Sequence, residues 1–393
     1  MREARHPAAR LSPSVVDYDI HGLVGIRLID PSPRDVSGVS GQIGPDRALT
    51  REPEVSGQIG PDRALTREPD FTIRFSDEVR PSGPVKWIEP HEIGFTDEGF
   101  FLFTENSGAG PVARLSFDAS TRAWEMQCRS GLRAVPLLLP LVDLTMWAKG
   151  VFALHASAFT YKGTGVLVAG WARSGKTTSL LAFMARGASY IGDDRVYLRA
   201  GKNDLYGLAE PIALRAWHLR ELPRYARVVG WRGRSRLRMF AALERVASMA
   251  AAADRVDGAR DLARRVAGVA ADASVSVSPQ RLFGECSLQG RLDKAFLAIA
   301  QDRPDVRVEP LDPGRFAQRL MFSLRAERLR IWSFYLAFRF AFPDQLRSYI
   351  EAADNTEEET LASALELSET YALYHPFPAP VEAMHDAMAP IVG

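Results

Sequence analysis

Lysine is scarce in this 393-residue chain, six residues against 43 arginines, so any lysine inside a motif stands out. Net charge is scarce too. At +1 nothing global draws the whole molecule to nucleic acid or to an anionic membrane, and a charged partner must be met by a local patch. The two cysteines, Cys128 and Cys286, lie far apart with no second thiol or histidine at metal-ligand spacing. That excludes a disulfide framework and a zinc site, fits a reducing compartment, and makes each a buried structural thiol. Long apolar runs are missing: AVPLLLPLVDLTMW at 134–147 is broken by two prolines and an aspartate and is too short to span a bilayer. The opening MREARHPAARLSPS has charge without an apolar core, unlike a secretory signal. The expectation is a cytoplasmic protein that does not engage a membrane.

The length predicts two or three domains. A tandem repeat, VSGQIGPDRALTREPE at 39–54 followed by VSGQIGPDRALTREPD at 55–70, lacks the apolar periodicity of a stacking unit and reads as a loop lengthened by duplication. Around it, short aromatic and β-branched segments (17–30, 71–75, 85–89, 100–104, 113–117, 123–128) predict a β-rich module over 1–131. Residues 132–150 read as a helix opening a second domain, 132–342. In it FALHASAF reads as one strand, YKGTG as a turn, VLVAG as a buried strand, SLLAFMARG as a helix and SYIGDDRVYL as a strand. That succession predicts a βαβ unit and a mainly parallel sheet. A helical insert is expected at about 218–273, the strand-like 286–290 and 294–301 return the chain to the sheet, and 343–393 reads as a helical tail with a solvated acidic stretch, EAADNTEEET.

Gly170, Gly175, Lys176 and Thr177 satisfy the G-x-x-x-x-G-K-[ST] phosphate-loop pattern between a predicted strand and a predicted helix. Glycines let backbone amides close around a phosphate, and the helix presents its positive end to the same anion. Gly170, Arg173, Ser174, Gly175, Lys176, Thr177 and Thr178 are therefore the nucleotide-binding candidates, with Lys176 on the phosphate oxygens and the Thr177 hydroxyl on Mg²⁺. Asp193 and Asp194 follow at the predicted end of the next strand, where ligands of open α/β sheets sit. Strand alternation would send one carboxylate to the metal or loop and the other to an acceptor, from which it could take a hydroxyl proton. His155 ends the strand before the loop. Seven arginines between 218 and 238 read as a solvated helix and turn, with a clamp for nucleotide or an acidic acceptor as the functional alternative; no nucleic-acid module surrounds them.

The stretch LHASAFTYKGTGVLVAGWARSGKTTSLLAFMARGASYIGDDRVYL, 154–198, resembles the HPr kinase/phosphorylase family. The resemblance implies an α/β P-loop core of the phosphoenolpyruvate carboxykinase/HPr kinase-like type, flanked here by the β-rich module and the helical insert and tail. It implies ATP and Mg²⁺ as cofactors, Lys176 as phosphate ligand, Thr177 and Asp193 at the metal, Asp194 as proton acceptor from a serine hydroxyl, and His155 as an active-site residue; it also permits a homo-oligomer. The family's Glu-Ile-Arg-Gly motif is replaced by AEPIALRAWHLREL at 209–222, where Glu210 and Glu221 are stand-ins out of register. The resemblance is therefore to the branch whose serine-bearing acceptor is a protein, peptide or small molecule other than HPr. Two alternatives remain at this point: a nucleotide-hydrolysing switch or regulator, and a non-catalytic ATP-binding partner in peptide maturation.

Overall fold

The computed structural model describes residues 14–44, 65–104, 110–118, 123–253, 265–266, 273–345 and 357–393. The start of the chain, repeat residues 45–64, part of the insert and acidic residues 351–356 lie outside them.

Eight strands form the first sheet: β1 (Val15–Ile20), β2 (Val24–Ile29), β3 (Phe71–Ser76), β4 (Lys86–Glu89), β5 (Ile93–Thr96), β6 (Gly99–Leu102), β7 (Ala113–Asp118) and β8 (Ala123–Arg129). Their order is β1-β2-β3-β8-β7-β6-β5-β4. Alternation along β3 and β8 builds one apolar face, in which Phe71 pairs with Trp124, Ile73 with Met126 and Phe75 with Cys128. Both cysteines are buried, and burial pushes each thiol up to about 12. The repeat does not begin as a loop. Its residues 39–43 close a helix, α1 (Pro33–Ile43), which starts because Ser32 and Asp35 cap each other reciprocally and Pro33 occupies the first turn.

After α2 (Leu138–Ala148), the segment expected as one strand is two. β9 (Val151–Leu154) joins a four-stranded sheet, while β10 (Ala156–Tyr161) joins a six-stranded one with β11 (Thr164–Ala169). Then come α3 (Lys176–Met184), β12 (Ser189–Gly192), β13 (Val196–Arg199), β14 (Asp204–Gly207), β15 (Ile212–Arg215), α4 (Ala216–Glu221) and α5 (Pro223–Ala253), the last broken at Gly230 (φ 71°). The chain continues through β16 (Ser274–Val277), α6 (Pro279–Phe283), β17 (Gln289–Arg291), β18 (Lys294–Gln301), β19 (Arg307–Pro310), α7 (Pro313–Ala341), helical residues 357–365 (α8), β20 (Glu369–Pro376) and α9 (Val381–Val392).

The six-stranded sheet runs β12-β10-β11-β18-β20-β19, and it is mixed rather than mainly parallel. β11, β18 and β20 are parallel, whereas β10 is antiparallel to both its neighbours and β19 to β20. The cause is the turn at Lys162 and Gly163, both at positive φ (49° and 88°): so short a connection joins only antiparallel strands. The expected helical tail contains β20, which pairs with β18 over eight residues. Helix α7 ties the two halves together, since Phe334 and Phe338 pack at 5.5 Å on Phe100 of the first sheet and Phe338 lies 5.7 Å from Trp124. No helix among the described residues is long and apolar enough to cross a membrane.

Candidate functional site

Two paired strands change sheets together. β10 pairs with β12 up to Ala158 and Gly192, and β9 pairs with β13 from Leu154 and Val196, so the ladder breaks at His155, Ala156 and Ser157 on one side and at Asp193, Asp194 and Arg195 on the other. At such a break side chains are released from the pleat and can converge. His155 Nε2 lies 2.7 Å from Asp194 Oδ1, and its Nδ1 meets Oε1 of Glu327 from α7. The two aspartates are not on a strand, so alternation does not sort them. Both lie past the end of β12 in a turn where the Arg195 N–H donates to the Asp193 carbonyl at 2.8 Å across Asp194, whose φ is 68°. This three-residue turn with a positive central φ is a strained conformation that needs surrounding structure to hold it.

The residues of the G-x-x-x-x-G-K-[ST] pattern join β11 to α3. Gly170 (φ 145°) and Gly175 (φ 83°) are required here: a Cβ at Gly170 would stand 2.5 Å from the Ala298 carbonyl oxygen, and one at Gly175 would stand 3.0 Å from His375 Nε2. His375, fully buried, holds the loop from below through that nitrogen, 2.7 Å from the Ser174 carbonyl oxygen. Gly175 caps α3 without any side-chain bond, so the first turn's amides keep no side-chain acceptor. Lys176 folds back, its Nζ donating to the carbonyls of Gly170 (3.0 Å) and Trp171 (2.8 Å). The Ser174 hydroxyl oxygen is buried without a partner. An uncapped helix start, an orphaned hydroxyl and a buried ammonium on one loop fit a phosphate chain.

Asp193 closes the Thr177 side of the loop. The Thr177 hydroxyl lies 3.1 and 3.0 Å from its two carboxylate oxygens, and Ser157 Oγ donates to Oδ1 at 2.5 Å. One hydroxyl and one carboxylate, with phosphate and water to complete the shell, is the donor set Mg²⁺ favours, so these residues fit that ion. Burial raises the pKa of Asp193 and repulsion from Asp194 adds to it, against the bonds from Ser157 and Thr177. Burial likewise lowers that of Lys176, opposed by Glu327, Asp193 and Asp194. An incoming polyanion with its cation would compensate both. Burial also disfavours the His155 imidazolium, yet the bonds from Asp194 and Glu327 outweigh it and raise its pKa to about 9. The same bond from His155 lowers that of Asp194, against the partial desolvation imposed by the protein around it.

His155, Arg173, Ser174, Gly175, Lys176, Thr177, Thr178 and Asp194 line one cavity of about 300 Å³. Glu210 and Glu221 do not line it: Glu210 accepts from Arg195 Nη1 at 2.7 Å, and Glu221 accepts from the Val381 N–H at 2.6 Å, capping α9. The arginines at 220, 224, 227, 232, 236 and 238 are exposed on α4 and α5, and none of the seven arginines between 218 and 238 lines the cavity. Sequence reasoning missed Ser157, Arg195, His218, His375 and Glu327. Ser157 and Arg195 flank residues already singled out, whereas Glu327 sits in a helix with no local pattern to mark it. Neither protein-family models nor curated proteins give any match to this chain.

Glu327→Gln should lower the pKa of His155 by about one unit or more, because one of its two anionic partners becomes neutral. A histidine titration followed by NMR reads this directly, and an unchanged midpoint near 9 would remove Glu327 from the site.

Proposed function

We propose that the chain is an ATP- and Mg²⁺-dependent phosphotransferase of the HPr kinase-like type, with an α/β P-loop core, acting on a serine hydroxyl of a protein, peptide or small molecule. The observation that carries this reading is the position of Asp194: its carboxylate is held by His155 at the wall of the cavity that the loop, Lys176 and Thr177 also line. A switch that only hydrolyses nucleotide has no need of a second carboxylate anchored in this way.

In this reading the loop amides and Lys176 bind and orient the phosphate chain. Thr177 and Asp193 hold Mg²⁺, whose chemistry is to neutralise charge on the phosphate oxygens. The acceptor oxygen attacks the γ-phosphorus, the bond to the bridging oxygen breaks, ADP leaves, and the hydroxyl proton passes to Asp194. His155, kept cationic by Asp194 and Glu327, orients that carboxylate and offsets its repulsion from the γ-phosphate. Asp194 is a weak base for this work. That suits phosphoryl transfer, whose loose transition state needs positioning more than early proton removal.

The test is incubation of the purified chain with γ-labelled ATP, Mg²⁺ and a lysate of its own cells, followed by mass spectrometry of labelled species. Label on a serine of a discrete acceptor is expected, abolished by EDTA and restored by excess Mg²⁺. Release of inorganic phosphate at the same rate with and without lysate, with no labelled acceptor, would overturn it in favour of a hydrolytic switch.

A further inference from the structure

The cavity extends past the loop into a region that the phosphotransfer chemistry does not use. Thr178 Oγ1, on the first turn of α3, is 3.1 Å from Nε2 of His218. The Arg215 N–H donates to Nδ1 of the same ring at 3.2 Å, so Nε2 carries the proton and donates to Thr178. The bond fixes α4 against the first turn of α3, and both residues line the cavity that His155 and Asp194 also line. Next to His218 in the chain the lining is aromatic. Trp217 and Phe377 stand with ring centroids 5.9 Å apart at 78°, and the Arg215 guanidinium lies 5.1 Å over the indole.

Two features of these rings are unexplained by packing. The indole Nε1–H of Trp217 is buried without a hydrogen-bond partner, a cost that a small turn of the ring toward an acceptor in the cavity would relieve. Phe377 is a large apolar side chain left 50 % exposed at the same wall. An aromatic surface, an orphaned donor and a nearby guanidinium, next to a phosphate-binding helix start, are complementary to a heteroaromatic base attached to a polyphosphate.

We propose that Trp217, Phe377 and Arg215 form the seat of the base, and that they set a preference for a purine over a pyrimidine nucleoside triphosphate. The inference rests on the nucleotide reading of the loop. A bicyclic purine is broad enough to stack its face on one ring while its edge, which carries ring nitrogens able to accept from an N–H, meets the other ring at 78°. The phosphates lie along the first turn of α3 and pass Thr178 and His218 on the way to the base.

Calorimetric titration of ATP, CTP and inorganic tripolyphosphate into the Mg²⁺-supplemented chain separates the two readings. Trp217→Ala should weaken ATP binding roughly tenfold while leaving tripolyphosphate within about twofold, the size expected for one lost base–aromatic stack. Phe377→Ala, at a half-exposed ring, should weaken ATP about fivefold with the same sparing of tripolyphosphate. Wild type should prefer ATP to CTP, and Trp217→Ala should narrow that preference. Equal loss of ATP and tripolyphosphate binding, unchanged ATP binding in both variants, or equal affinity of the wild type for ATP and CTP would overturn the base seat. Failure of the wild-type chain to bind ATP and tripolyphosphate alike would bring down the nucleotide reading itself.

Discussion

Asp194→Asn is expected to bind ATP as the wild-type chain does and to lose phosphotransfer by roughly 10²–10⁴-fold, the usual worth of a positioned proton acceptor. Asparagine is the right replacement because it keeps the shape of the side chain and tolerates positive φ, so the strained turn at φ 68° survives, whereas alanine would change backbone and chemistry together. The amide oxygen can still accept from His155. What is removed is the site for a proton. Single-turnover transfer and calorimetric ATP binding read the two quantities separately, and a variant transferring at near wild-type rate would show that Asp194 does not take the proton.

The same substitution changes the response to alkali. His155 has a folded-state pKa of about 9, above its ordinary 6.5, so its contribution to stability is complete below the unfolded value and is lost as pH rises through about 9. Asp194 is shifted the other way, so its contribution is present above the unfolded value and is lost as pH falls through its lowered folded one. The ion pair therefore persists across neutral pH. With asparagine at 194, the alkaline loss of stability should begin at lower pH, since Glu327 alone then holds the imidazolium. Asp194 is largely exposed at the cavity wall, so solvent screens the pair and the effect on activity exceeds that on stability.

The contiguous part of the site is legible in the sequence because its physics is local. A glycine loop, its lysine and threonine, and an aspartate pair at the next strand's end must lie near one another when only one helix separates them. The turn between β10 and β11 is equally local, and its brevity dictates an antiparallel pair beside the loop in place of a parallel one. Capping of α1 by Ser32 and Asp35 was readable in SPRD and was obscured by the repeat. Other features had no local signal. FALHASAF contains no glycine or proline to mark the change of sheets at His155, because the break is set by which partner each half finds. Glu327 lies 172 residues from His155, and only the packing of α7 on the first sheet's aromatic face brings it there. β20 follows an acidic, helical stretch, whose character hides the eight-residue strand behind it.

Asp143 illustrates how a residue that argues against one structure can hold another. In the sequence it interrupts an apolar run; in the fold it accepts from the Tyr197 hydroxyl at 2.9 Å and lies 3.3 Å from Arg195 Nε, while Arg195 Nη1 reaches Glu210 at 2.7 Å. Burial raises the pKa of Asp143 and Glu210, the latter to about 7, and both anions in turn hold Arg195 firmly cationic against its own burial. Arg195 directly follows Asp194, so this buried network is what keeps the strained turn in place. Asp143→Ala leaves Arg195 half-compensated and the Tyr197 hydroxyl without its acceptor, and should cost about 3 kcal/mol of stability, the scale for removing one partner of a buried pair. Tyr197→Phe removes one neutral donor and should cost only about 1 kcal/mol. Denaturant melts of the two variants give the comparison. If Asp143→Ala proved no more damaging than Tyr197→Phe, the charge on Asp143 would not be what anchors Arg195, and the rigidity of the Asp194 turn would have to come from the strand ends alone.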